Sequence, residues 1–117
     1  GHRKLDNFVV IVDNNGLQID GKIDEVNSPY PIDEKFKAFH FHVINIDGHN
    51  FDEIAKVFSE ARQTKGMPTA IIAKTVKGKG VSFMENQASW HGTAPNEQQY
   101  AIAMEDLEKA GAALCQK

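Results

Sequence analysis

The sequence holds a single cysteine, Cys115, among 117 residues. One cysteine excludes an internal disulfide, and a lone thiol suits a reducing compartment, so a cytoplasmic location is expected. No apolar run approaches the roughly 20 residues needed to cross a bilayer. The basic start, Gly1-His2-Arg3-Lys4, is not followed by an apolar stretch of secretory-leader length. There is no excess of positive charge either. The formal net charge is −3 and the lysines and arginines are scattered. A sequence-independent nucleic-acid binder needs a concentrated cationic face. Neither nucleic acid nor membrane is therefore an expected partner. Internal repeats, low-complexity tracts and long linkers are also missing. What remains is 41% hydrophobic and 25% charged. That is the composition of a globular chain, read here as one domain over 1–117.

Three apolar runs predict strands. Phe8–Val12 is continuous and β-branched, as suits a strand buried on both faces of a parallel sheet. Phe41–Ile46 and Thr69–Val76 are the other two. Between the first two lies a stretch rich in turn formers, including Gly16, Gly21, Pro29 and Pro31. A short helix is predicted from Pro31 to Phe39, with acidic residues in its first turn. A second is predicted from Asn50 to about Thr64. Its stripe is Phe51, Ile54, Ala55, Phe58 and Ala61, at three- and four-residue spacing. Residues 81–95 read as irregular. A last helix is predicted from Pro95 to about Ala113, carrying Tyr100, Ile102, Ala103, Leu107 and Ala110. This alternation predicts an α/β fold with a parallel sheet and helices in a three-layer α/β/α arrangement. Three strands make a thin sheet with exposed edges, which suggests part of a larger α/β unit.

Three constellations carry possible chemistry. The first strand is expected to stop at Asp13-Asn14-Asn15-Gly16-Leu17. Side-chain and backbone oxygens at such a strand end could supply part of a Mg²⁺ or Ca²⁺ shell. The same residues also make an ordinary strand-to-loop turn. Lys74 to Gly80 follows the third strand with lysines and glycines that suit a phosphate. It lacks the Walker A spacing, and a solvated basic turn is the alternative. Ser89-Trp90-His91-Gly92 places a histidine in an irregular segment, where its near-neutral ring suits proton transfer or an oxyanion. His2, His40, His42 and His49 are read as structural or merely exposed. His40 and His42 share a face by alternation, but no cysteine or third histidine lies at zinc-like spacing from them. The three constellations converge, because the first two leave one edge of the sheet and the third follows on the second's loop.

Taken together, Ile11-Val-Asp-Asn-Asn-Gly-Leu-Gln-Ile-Asp-Gly21, Asp47-Gly-His49, Pro68 to Gly80 and Trp90-His-Gly92 resemble the thiamine-diphosphate-binding region of transketolases. The resemblance runs along nearly the whole chain. It is greatest to split transketolases, where this region belongs to a separate N-terminal subunit. The resemblance implies thiamine diphosphate as cofactor, held through Mg²⁺ or Ca²⁺. It implies metal ligation by the Asn15 side chain and the Leu17 carbonyl. It implies cofactor contacts from Asn15, Ile19, Lys77 and His91, with His91 also the catalytic residue. Thr93 departs from the pattern, since some members carry lysine there.

Another departure is larger. The family's Gly-Asp-Gly motif is absent from this sequence. The chain is therefore expected to be the C-terminal portion of a cofactor-binding domain. The glutamate that activates the aminopyrimidine belongs, in the family, to another domain. The expected partners are thus a pyrimidine-binding half or subunit, together with sugar-phosphate substrates, in a homo- or hetero-oligomer. The implied activity is transfer of a two-carbon ketol unit between sugar phosphates. A deoxyxylulose-phosphate synthase or dihydroxyacetone synthase relative is one alternative. A truncated, non-catalytic assembly module is another.

Overall fold

The structure, a computed structural model, describes residues 1–115. In chain order it contains β1 (Val9–Asn14), a short pair β2 (Leu17–Gln18) and β3 (Gly21–Lys22), and a helical turn α1 (Ile23–Val26). Then come α2 (Ile32–Ala38), β4 (His42–Asp47), α3 (Phe51–Gln63), β5 (Thr69–Lys74), a 3-10 turn at Ala88–Trp90, and α4 (Glu97–Cys115). β1, β5 and β4 form a parallel sheet in that spatial order, with Ile71 in register between Ile11 and Ile44.

β5 is the middle strand, and residues 69–73 are buried in succession. Its unbroken run Ala70-Ile71-Ile72-Ala73 matches that position, because both faces are covered. Ile71 is 1% exposed and forms the centre of the core with Val57, Ala61 and Ala70. α3 covers one face, where Ile54 and Phe58 share a groove with Ile11 and Ala73. α2 covers the other, where Ile32 and Phe36 share a groove with Val12 and Asn14. Side chains alternate along a strand, so 11 and 13 face away from 12 and 14. The expected parallel α/β sheet with flanking helices is what the chain adopts.

The start of α3 is set locally. The Asn50 side-chain oxygen accepts from the N–H groups of Asp52 and Glu53, and Glu53 Oε1 accepts from Asn50 Nδ2. This reciprocal cap satisfies helix donors that would otherwise be unpaired.

Several expectations need correction. Among the described residues β1 pairs on one side only, with β5, and it is half-exposed rather than buried on both faces, with Ile11 57% exposed. The cause is topological. β5 inserts between β1 and β4, which an apolar run cannot foretell. Nor does β1 stop at Val12. It continues through Asp13 and Asn14, because these pair with Ala73 and Lys74. The loop after it holds the β2–β3 hairpin and α1, which the density of turn formers conceals. The buried stripe of α3 is Val57 and Ala61 with half-buried Ile54, while Phe51 is 84% exposed and Ala55 and Phe58 are also exposed. In α4 only Ala103 of the expected stripe is buried. Periodicity locates an apolar face, and tertiary packing decides whether anything covers it.

Candidate functional site

The carboxyl ends of β1 and β5 lie side by side, so the segments that leave them are neighbours. Thr75 N–H donates to the Asn14 carbonyl at 3.3 Å, and the Thr75 hydroxyl donates to Asp13 Oδ1. Tyr30 Oη donates to Asn14 Oδ1 at 2.6 Å. Of the oxygen cluster Asp13-Asn14-Asn15, the first two side chains are therefore committed to structure. Of these three side chains, only Asn15 lines the adjoining cleft.

Asn15 Oδ1 accepts from Leu17 N–H at 3.0 Å, and Gly16 turns the chain between them with φ +73°. In the hairpin, Ile23 N–H donates to the Gly16 carbonyl, and Leu17 stands opposite Lys22. Antiparallel ladders alternate bonded and non-bonded pairs, so the Leu17–Lys22 pair is the non-bonded kind. The N–H and carbonyl of Leu17 thus face away from the hairpin, toward the side where Asn15 Oδ1 lies. A carbonyl oxygen has two lone pairs, and Asn15 uses one. Two neutral, hard oxygens remain on one side of the turn, and these fit part of a Mg²⁺ or Ca²⁺ shell. Among the described residues, no group of three or more His, Cys, Asp or Glu is placed to hold a metal. Any cation here would meet carbonyl-type oxygens.

The segment after β5 is tied into a compact loop. The Lys77 carbonyl accepts from Asn86 N–H at 3.0 Å, and Glu85 Oε1 accepts from Gly80 N–H at 2.9 Å. Asp106 of α4 accepts from both the N–H and the hydroxyl of Ser82. Further on, Trp90 Nε1 donates to the Phe83 carbonyl at 3.1 Å, and the two rings pack 5.2 Å apart. His91 N–H donates to the Ala88 carbonyl at 2.9 Å. Trp90 thereby seats the 3-10 turn on the loop and fixes the backbone that carries His91. In the sequence Trp90 stands out only as a neighbour of His91; its ring N–H partner lies seven residues back, within a segment without periodicity.

These three segments close on one cleft of about 280 Å³, lined by Asn15, Leu17, Gln18, Ile19, Lys77 and His91. All five sequence-predicted site residues are brought together there. Gln18, which stands inside the Ile11–Gly21 motif but to which the resemblance gives no role, is an addition. Ile19 is 62% exposed and offers apolar surface. Thr93 does not line the cleft, and its hydroxyl donates to the Ser89 carbonyl. A larger hollow of about 660 Å³ lies across the ends of β4 and β5, beside His49, Lys74 and Lys79.

The loop has a pH signature. The Gly80 N–H, and next the Lys79 ammonium, hold the Glu85 carboxyl below its usual range. The Ser82 hydroxyl and N–H do the same for Asp106. A lowered carboxyl pKa contributes stability that is present above the unfolded value and lost as pH falls through the folded one. Protection from hydrogen exchange across 77–86, taken relative to the intrinsic rate at each pH, is therefore expected to fall below about pH 4. Glu85→Gln keeps an acceptor for Gly80 without titrating, so it should blunt that step. An identical acid response in the variant would exclude Glu85 as its source.

Known proteins resemble this chain in sequence and fold. The family described as "Transketolase, thiamine diphosphate binding domain" matches residues 1–110. The 6-deoxy-6-sulfo-D-fructose transketolase subunit SqwG of Clostridium sp. (strain MSTE9) is 41% identical over 96% of this chain and 41% of its own length. An apulose-4-phosphate transketolase subunit of Phocaeicola vulgatus is 38% identical over 91% of this chain and 38% of its own. The transketolase crystal structure from Campylobacter jejuni superposes with a TM-score of 0.83 at 34% identity, covering 92% of this chain and 17% of that one. The chain thus spans about two fifths of the curated subunits it matches. With the match running through residues 1–110, this chain belongs to the transketolase thiamine diphosphate-binding domain family.

Proposed function

We propose that this chain forms the metal- and diphosphate-facing wall of a transketolase that moves a two-carbon ketol unit between sugar phosphates. The convergence of Asn15, Leu17, Ile19, Lys77 and His91 on one cleft carries this reading. Thiamine diphosphate, when bound, supplies a thiazolium that stabilises a carbanion. The residues of this chain bind and orient. Asn15 Oδ1 and the Leu17 carbonyl hold one side of Mg²⁺ or Ca²⁺. Two oxygens would leave a divalent ion short of a full shell, so further groups, the diphosphate among them, would have to supply the rest. Lys77 adds a point charge toward the diphosphate. Ile19 packs against the cofactor. His91 hydrogen-bonds a substrate oxygen and handles its proton.

A pyrimidine-binding half, on another domain or subunit, completes the site in a homo- or hetero-oligomer. The naming of the curated relatives as subunits supports this partner. A cytoplasmic location belongs to the same proposal, and the free thiol of Cys115 suits it.

The test is reconstitution of the full assembly with thiamine diphosphate and Mg²⁺, assayed for ketol transfer between sugar phosphates. Removing the metal with a chelator is expected to weaken cofactor binding about tenfold or more, since the diphosphate then loses its counter-charge. Indifference to the chelator would sink the metal assignment. Decarboxylation of pyruvate instead of ketol transfer would point to the deoxyxylulose-phosphate synthase type.

A further inference from the structure

We infer that His49 is a positioning residue for the cofactor cleft, holding the base of the Lys77 loop through one hydrogen bond to the backbone of Val76. The inference rests on the proposed cofactor role of that cleft. His49 lies at the end of β4, 27 residues before Val76, and does not line the cleft itself.

The corner that carries His49 is tightly tied. Asp47 Oδ1 accepts from His49 N–H at 2.9 Å, and Asp47 N–H donates to Glu53 Oε2 at 2.8 Å. Asn50 N–H returns to the Asp47 carbonyl at 3.1 Å. Gly48 N–H donates to the Lys74 carbonyl at 2.8 Å. A Cβ at Gly48 would lie 2.5 Å from Thr75 Cγ2 and 3.1 Å from the Lys74 carbonyl oxygen. The corner therefore presses directly on the exit of β5. Only glycine permits that approach without displacement.

From this corner the imidazole reaches over to Val76, whose N–H donates to His49 Nε2 at 2.7 Å. A backbone N–H can only donate, so Nε2 accepts and the neutral ring carries its proton on Nδ1. The position of this bond matters. The β5 ladder ends at Lys74, paired with Asn14 on one side and Asp47 on the other. Thr75 is tied to β1 through Asn14 and Asp13. Val76 is tied to β4 through His49, and the next residue is Lys77. His49 thus supplies the last anchor before the chain enters the cleft opposite Asn15 and Leu17. Losing it unties Val76 from the β4 corner and leaves residues 75–77 held by Thr75 on one side and the Lys77–Asn86 bond on the other, so the Lys77 ammonium keeps its distance from the metal-facing turn less firmly.

Two substitutions separate the acceptor from the bulk of the ring. His49→Phe keeps a flat ring and removes the acceptor. His49→Gln offers a neutral oxygen with similar reach. In the full assembly with Mg²⁺, calorimetric titration of thiamine diphosphate is expected to show about five- to tenfold weaker binding for His49→Phe, the scale of one net hydrogen bond. His49→Gln should stay within about twofold of the parent. In a Lys77→Ala background, His49→Phe should add less than about twofold, because its effect runs through Lys77. Hydrogen exchange over 75–80, measured without cofactor, should quicken in His49→Phe and not in His49→Gln.

Unchanged affinity in His49→Phe overturns the inference. So does a His49→Gln variant as weak as His49→Phe, or full additivity with Lys77→Ala. If the parent assembly itself fails to bind thiamine diphosphate, the proposed function falls. The exchange comparison still decides the anchor: equal exchange in all three proteins overturns it, and faster exchange confined to His49→Phe supports it.

Discussion

Asn15→Ala is expected to weaken metal-dependent thiamine diphosphate binding in the full assembly by roughly 100-fold, the upper range for disturbing a metal's protein ligands. Two losses combine. One is a side-chain oxygen for the cation. The other is the hydrogen bond from Leu17 N–H that shapes the turn presenting the Leu17 carbonyl. They can be told apart. A lost metal ligand is compensated by mass action, so raising Mg²⁺ should recover much of the binding. A distorted turn should not respond. Asn15→Asp keeps an oxygen at the same place and should lose far less. Titration of cofactor at several Mg²⁺ concentrations reads all three. An Asn15→Ala protein that binds cofactor like the parent at every Mg²⁺ concentration would falsify the assignment of Asn15 to the metal.

Gly78→Ala should have the largest effect on stability. Gly78 has φ +72°, in the left-handed region that β-carbons disfavour. A Cβ there would also lie 2.6 Å from the Met84 carbonyl oxygen and 2.8 Å from Met84 Cβ. The obstacle is backbone, which cannot rotate away like the tip of a long side chain. The segment around it is pinned by the Lys77–Asn86 and Gly80–Glu85 bonds. Strain and overpacking together are expected to cost about 3 kcal/mol. For a chain of this size that corresponds to a fall in Tm of about 10 °C. Because Lys77 is the neighbouring residue, cofactor affinity should fall with it. A variant matching the parent in both Tm and affinity would show that the loop yields to a methyl group at little cost.

Much of this is legible in the residues. The three strands and three longer helices follow from runs and periods, because burial imposes a spacing on the sequence that forms each element. The ordered motifs around Asn15, Asp47, Lys74 and His91 carry the family resemblance, and the five candidate residues they mark do share one cleft. Gln18 escapes such a reading because, although it lies within the Ile11–Gly21 motif, the resemblance attaches roles to Leu17 and Ile19 on either side and none to it. Trp90 is undervalued by it because its role depends on one carbonyl, that of Phe83, in a segment without periodicity.

By itself, then, the sequence determined the three main strands, the three longer helices and the parallel α/β class, which local spacing encodes. Its ordered motifs carried the family resemblance that implied five of the six residues lining the cleft. Only the tertiary structure decided the order β1-β5-β4 among the described residues, since it is set by where β5 inserts, not by composition. It also decided that Asp13 and Asn14 are consumed by Thr75 and Tyr30, leaving Asn15 alone to face the cleft. It took His49 out of the class of merely exposed histidines by bringing Val76 within 2.7 Å of its ring. Each of these depends on partners 16 to 62 residues apart in the chain. Contacts at that range are created by the order of strands in the sheet, which no short window of sequence contains.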